Sequence, residues 1–197
     1  VRNLELIRSS HESGSSLAQI MDKTVTPMGA RMLRNWILLP LLSVEKIHNR
    51  LNMVTYFVEK YFDHEALTAL LRQVGDIERI VSKLAMEKIS PRELMQLKKS
   101  LAILPDILFI LKESDQESLK ILGDKILLCE KLKDEIERTI TEDPPVLLSK
   151  GNVIKNGCDA ELDDLRNVIK NSKELLLEIL TKEAERTGIS RLKIGFN

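Results

Sequence analysis

Apolar residues along this chain recur at steps of three and four, the period of one face of a helix. Thr26-Pro27 reads as an N-cap followed by proline at the first helical position, where a missing N–H costs nothing. The helix it opens carries Met28, Met32, Leu33, Trp36 and Ile37 on one side and is stopped by Pro40. Ser43 is placed to cap a second helix, with Val44, Ile47, Leu51, Val54 and Val58 as its apolar set. Asp63 is placed to cap a third, with Leu67, Leu70, Leu71 and Val74; Gly75 breaks it, and Ile77, Ile80, Val81 and Leu84 mark a fourth.

Ser90-Pro91-Arg92-Glu93 has the form of a capping box, in which serine satisfies a free backbone N–H and the glutamate reaches back to the serine N–H. Leu94, Leu97, Leu101, Leu104, Leu108 and Leu111 then alternate steps of three and four, but Pro105 removes a backbone donor and clashes with the preceding turn. The spacing therefore predicts a broken pair of core helices and not a zipper. Ser114 and Glu117 form a second capping box, opening a helix interrupted near Gly123 and resumed through Leu132 and Ile136.

Residues 143 to 158 change character. Asp143-Pro144-Pro145, Gly151 and Gly157 frame Val146-Leu147-Leu148 and Val153-Ile154, two short apolar pieces that predict a small β-hairpin. Residues 161 to 187 then carry no Gly or Pro and predict one helix of roughly 40 Å at about 1.5 Å per residue. Its polar stretch from Lys170 to Glu174 implies that it leaves the core. The end, Leu192 to Asn197, alternates like a strand with no partner to pair with. The expectation is an all-α fold: a multi-helix core with a long protruding helix, one hairpin and an unpaired terminal strand. That strand, and a first residue that is Val, read as a segment of a longer protein.

Composition narrows the function. The 197 residues are 43% hydrophobic and 30% charged, which is globular and not disordered. Thirty Lys and Arg balance thirty Asp and Glu, so no surplus of cations marks the chain as a dedicated nucleic-acid grip. Cys129 and Cys158 lie far apart in no metal-binding spacing, which fits reduced thiols and a cytoplasmic setting. No apolar run reaches the roughly 18 residues of a membrane span. His11, His48 and His64 have no ligand-type neighbours at metal spacing, and no phosphate-binding loop or nucleophile elbow occurs. These residues offer no catalytic, cofactor or metal site.

Two polar clusters remain. In Gly75-Asp76-Ile77-Glu78-Arg79 the acids favour a helix N-terminus, and Asp76 and Arg79 stand three apart, close enough to pair. In Thr26 to Trp36, Gly29 inside a first turn costs up to about 1 kcal/mol relative to Ala, which implies that another backbone approaches there. Trp36, alone of its kind, reads as a packing anchor.

At these residues the chain resembles a family. Asp22-Lys23-Thr24-Val25-Thr26-Pro27-Met28-Gly29-Ala30-Arg31-Met32-Leu33, with Trp36 and Pro40, is similar to the opening of the core domain of MutS DNA mismatch-repair proteins, in its bacterial form. Gly75 to Arg79 resembles that family's D-[IL]-E-R helix. Asp143-Pro144-Pro145, Gly151, Ile154, Gly157 and Glu161 to Arg166 resemble its proline-rich turn and the helix after it. Arg186-Thr187-Gly188-Ile189 with Leu192 to Asn197 resembles the segment that enters the clamp.

The resemblance implies a division into a helical core (1–160), an ascending lever helix (161–188) and the start of a truncated clamp (189–197). It implies a non-enzymatic core and lever of a dimeric, DNA-encircling ATPase. ATP and Mg would bind elsewhere in the parent, which would work with mismatched double-stranded DNA, a second MutS subunit and the downstream protein MutL. A bacterial cytoplasm, associated with the nucleoid, is the implied location. Gly29, Arg31, Trp36, Asp76, Glu78, Arg79, Leu162 and Leu165 become candidates for packing at the lever's base, and Lys193 and Asn197 for its DNA-proximal end. Two alternatives stay open: a free-standing helical scaffold for protein partners, and the core of a MutS-like recombination protein.

Overall fold

The computed structural model describes residues 4–11, 13–189 and 192, excluding the side chain of residue 173. It is all-α, with ten α-helices among the described residues. The chain divides into two compact units, Val1–Val153 and Ile154–Asn197.

In the first unit, a short α1 (Leu17–Met21) is closed by a capping box from Ser16 and Gln19. Then α2 (Pro27–Leu38) starts at Thr26, whose hydroxyl accepts the Gly29 N–H, and α3 (Val44–Glu59) starts at Ser43, whose hydroxyl accepts from Lys46. Both caps are where the sequence puts them. Next, α4 (Tyr61–Leu71) begins three residues earlier than a cap at Asp63 would place it, with no side-chain cap. Asp63 is therefore not its cap. That carboxylate instead accepts the Tyr56 hydroxyl at 2.5 Å, so it ties α4 back to α3.

The central element is α6 (Pro91–Glu113), against which α4, α5 (Ile77–Ala85), α7 (Glu117–Gly123) and α8 (Glu130–Thr139) pack. The Ser90–Glu93 capping box is present in full. The expected break at Pro105 is not: the helix runs straight through it. Proline costs about 3 kcal/mol inside a helix, but Leu97, Leu101, Ile107 and Leu111 on either side are all buried. Burying one such side chain is worth about 1.5–3 kcal/mol, so packing outweighs the lost hydrogen bond. The second capping box is also absent. Ser114 is buried and turns its hydroxyl to the Leu111 carbonyl, closing α6 instead of opening α7.

The core around the C-terminal half of α6 is made by Tyr56, Val74, Ile107, Leu111 and Leu119. For α3 this reverses the expected face. Val44, Leu51, Val54 and Val58 are exposed, while Tyr56, Met53 and Phe57 turn inward. A helix with apolar residues on two stripes leaves periodicity unable to choose between them; the anchored Tyr56 hydroxyl does.

No hairpin joins Val146–Leu148 to Val153–Ile154. Leu148–Lys150 form a single 3₁₀ turn, and Thr141 N–H donates to the Val153 carbonyl at 2.9 Å. The Asp143-Pro144-Pro145 turn is held to the start of α6, where Arg92 donates to the Pro144 carbonyl at 2.9 Å. With two prolines and no N–H to offer a ladder, this stretch closes as a strap.

In the second unit the expected single helix is two: α9 (Ala160–Lys170) and α10 (Ser172–Thr187), separated at Asn171, whose φ −96° and ψ 11° leave the helical region. Asn and Ser compete for backbone hydrogen bonds, and Lys170-Asn171-Ser172 offers no apolar residue to hold a continuous turn. The expected terminal strand lies, apart from Leu192, outside the described residues.

Candidate functional site

The two polar clusters singled out from the sequence meet in space. Their meeting point is built outward from α6. Ser100, fully buried on α6, donates to the Gln96 carbonyl at 2.8 Å and accepts the Gly75 N–H at 2.9 Å. A Cβ at position 75 would lie 2.7 Å from the Gln96 amide, so a larger residue there would require the exposed Gln96 side chain to move aside. The Ser100 contact fixes the residue preceding Asp76, and with it the entry to α5.

Asp76 caps α5 by accepting the Arg79 N–H, and Glu78 lies in the same first turn. Both carboxylates sit where the helix end is positive. Arg31, one turn into α2, spans them. Its Nη1 and Nη2 donate to the two Asp76 oxygens at 2.9 and 2.6 Å, while Nε and Nη2 donate to Glu78 Oε2 at 2.9 and 2.6 Å. This is the two-pronged geometry that only a planar guanidinium can supply. The Arg31 hydrogen bonds hold the Asp76 carboxyl below its ordinary range, and hydrogen bonds to Asp76 and then Glu78 raise the Arg31 guanidinium. Arg79 joins through its backbone alone, so the Asp76–Arg79 ion pair that spacing allowed is replaced by one reaching 45 residues away.

The other end of α5 is fixed too. Lys83 donates to Glu93, the same residue that completes the α6 capping box. Glu93 is thereby pulled down to about 2, first by the Lys83 hydrogen bond and then by the Ser90 N–H.

Gly29 is crowded, but not by backbone: a Cβ there would lie 3.0 Å from Thr26 Oγ1 and 3.3 Å from Thr24 Cβ. The neighbours are the threonines of the preceding turn. Trp36 is 40% exposed and is not a buried anchor; the Arg50 guanidinium of α3 covers its ring, 3.5 Å from the centroid. In the second unit Leu162 is half-buried and Leu165 exposed. The polar tie there is Arg166, which donates to the Ile154 carbonyl at 2.8 Å and to Asn156 at 2.9 Å, with Asp163 at 3.2 Å. Asp163 in turn accepts the Gly157 N–H at 2.6 Å, where Gly157 has a φ of 82° that glycine alone adopts easily. Lys193 and Asn197 lie outside the described residues.

Sequence reasoning missed Ser100, Arg50 and Arg166. Ser100 had a signal, a lone hydroxyl on the leucine face of α6 between Leu97 and Leu101. The other two are long surface side chains whose targets are set only by the fold.

Chemically the cluster is a joint. Four of the five N–H donors of the Arg31 guanidinium are engaged by the Asp76 and Glu78 carboxylates, so the group serves chiefly to fasten α2 to α5. Among the described residues no group of three His, Cys, Asp or Glu could hold a metal ion. No helix of the described residues is long and apolar enough to cross a membrane.

Comparison with known proteins gives a consistent result. A family model described as MutS domain III matches residues 1–192. The chain is 45% identical to the DNA mismatch repair protein MutS of Bacteroides fragilis, 44% to that of Parabacteroides distasonis and 43% to that of Cytophaga hutchinsonii. Each match covers all 197 residues here and 23% of the relative. The chain thus spans about a quarter of the length of the curated relatives it matches.

Proposed function

The chain belongs to the MutS family as its domain III, and from that premise we propose that it is the structural core and lever of a DNA mismatch-recognition ATPase. In this reading it passes conformational change between the DNA-clamping and ATP-hydrolysing parts of the longer protein. ATP and Mg bind in those other parts, and the partners are mismatched duplex DNA, a second MutS subunit and MutL. The working location is the bacterial cytoplasm, at the nucleoid.

The observation that carries the transmission role is the relay of direct contacts within the first unit. It runs from Ser100 on α6 through the Gly75 backbone to Asp76, and across Arg31 to α2. Ser100 is buried and the Arg31–Asp76 contact is bidentate, so a shift of α6 reaches α2 for as long as the Arg31 fork stays closed. In the second unit, α9 and α10, with the break at Asn171 between them, are the elements that would connect the core to the clamp.

A module of this kind transmits and does not read DNA. Fluorescence anisotropy titration of the 197-residue chain against matched and mismatched duplexes should show weak, salt-dependent binding with equal affinity for both. A clear preference for the mismatch would overturn the assignment, because it would place the reading residues within this chain.

A further inference from the structure

Helix α2 is attached to the core differently from α6. It has no buried residue, whereas α6 has seven. Met28, in its first turn, packs against the core cluster, and Leu33 and Ile37 are half-buried. Beyond that turn two cation contacts fasten it: Arg31 to Asp76 and Glu78 of the α5 turn, and Trp36 beneath the Arg50 guanidinium of α3. Both contacts are reachable by salt. The Arg31, Asp76 and Glu78 side chains are 43%, 20% and 65% exposed, and Trp36 is 40% exposed.

We propose that α2 is a detachable brace, docked by the Arg31 fork and released from the core as a unit when that fork is screened or broken. Screening acts here because charge attraction between exposed groups weakens within the roughly 8–10 Å Debye length of ordinary buffers and shortens further in strong salt. Apolar burial strengthens or holds under the same change, so α6 and the core cluster stay closed. The element has two discrete arrangements, docked and undocked, separated by the rupture of one guanidinium fork. Undocking frees the Asp76 and Glu78 carboxylates while leaving Asp76 in place as the cap of α5. The inference concerns the α2–α5 joint alone and stands whether or not the longer protein couples DNA to ATP.

Hydrogen exchange on the full chain tests it, read at the α2 amides from Arg31 to Leu38 with the α6 amides around Leu97 to Leu101 as an internal reference. Moving from about 50 mM to about 500 mM NaCl should speed α2 exchange about twofold to fivefold, the scale of exposed ion pairs, and leave α6 unchanged. Arg31→Gln should bring fast α2 exchange already at low salt and abolish its salt dependence. Should that variant not fold, Glu78→Gln keeps the α5 cap and should give an intermediate rate with a reduced salt response. The proposal is overturned by α2 exchange that ignores salt in the native chain, or by α2 and α6 opening together at every condition.

Discussion

Glu93 does two jobs with one carboxylate: it closes the start of α6 through the Ser90 N–H and receives Lys83 from the last turn of α5. Its folded-state pKa of about 2 lies below the ordinary carboxylate value. Such a group stabilises the fold above the unfolded pKa, and that contribution is lost as pH falls through the folded one. Glu93→Gln keeps a capping acceptor but loses the charge. Urea denaturation should therefore find it less stable than the native chain at pH 7, with the gap closing as pH drops from the usual carboxylate range toward about 2. A gap that is constant with pH would contradict the Lys83 contact. Ser100 offers a different test. Removing its hydroxyl strands the Gly75 N–H in a buried place, so Ser100→Ala should cost about 1–3 kcal/mol in thermal or urea unfolding. A loss below a few tenths would mean that the joint between α5 and α6 is held by packing alone.

At the scale of elements, α6 shows where local rules yield to packing. Its start was legible because a capping box is a local device, decided by four residues. Its continuity through Pro105 was not, because the burial that compensates comes from packing against α4, α7 and α8, which no local rule within α6 encodes. The same account predicts that Pro105→Ala stabilises the chain. Position 105 is exposed, so nothing is lost in packing and an N–H is regained. The gain should be about 1–3 kcal/mol, and a destabilised variant would show that the proline sets a needed bend. In α3 the expected apolar set and the buried set differ, because two stripes share one helix and only the Tyr56–Asp63 contact selects between them. The break at Asn171 was legible only as polarity. Asn171→Ala replaces a poor helix former by the best one and should raise the helix signal in circular dichroism by a residue or two, a change best read by amide exchange across positions 170–174. The ion joint was half legible: both clusters stood out by composition, but that Arg31 and not Arg79 takes the carboxylates is a fact of tertiary placement.

For the whole molecule, the balance of thirty cations against thirty anions takes on a specific meaning. Ion pairs among the described residues include several that join helices: Arg31 to Asp76, Lys83 to Glu93 and Lys98 to Glu137. Part of that charge forms cross-links between helices within the chain. In the proposed role, the helices from Ala160 to Thr187 would carry displacement between the core and the clamp of a full-length MutS protein. The most direct measurement inserts a short run of glycines after Lys170 in the full-length protein and compares ATP turnover with matched and mismatched duplexes. The account predicts that each duplex is still bound, while the difference in turnover between them collapses. Turnover that still responds to a mismatch as in the unmodified protein would contradict it.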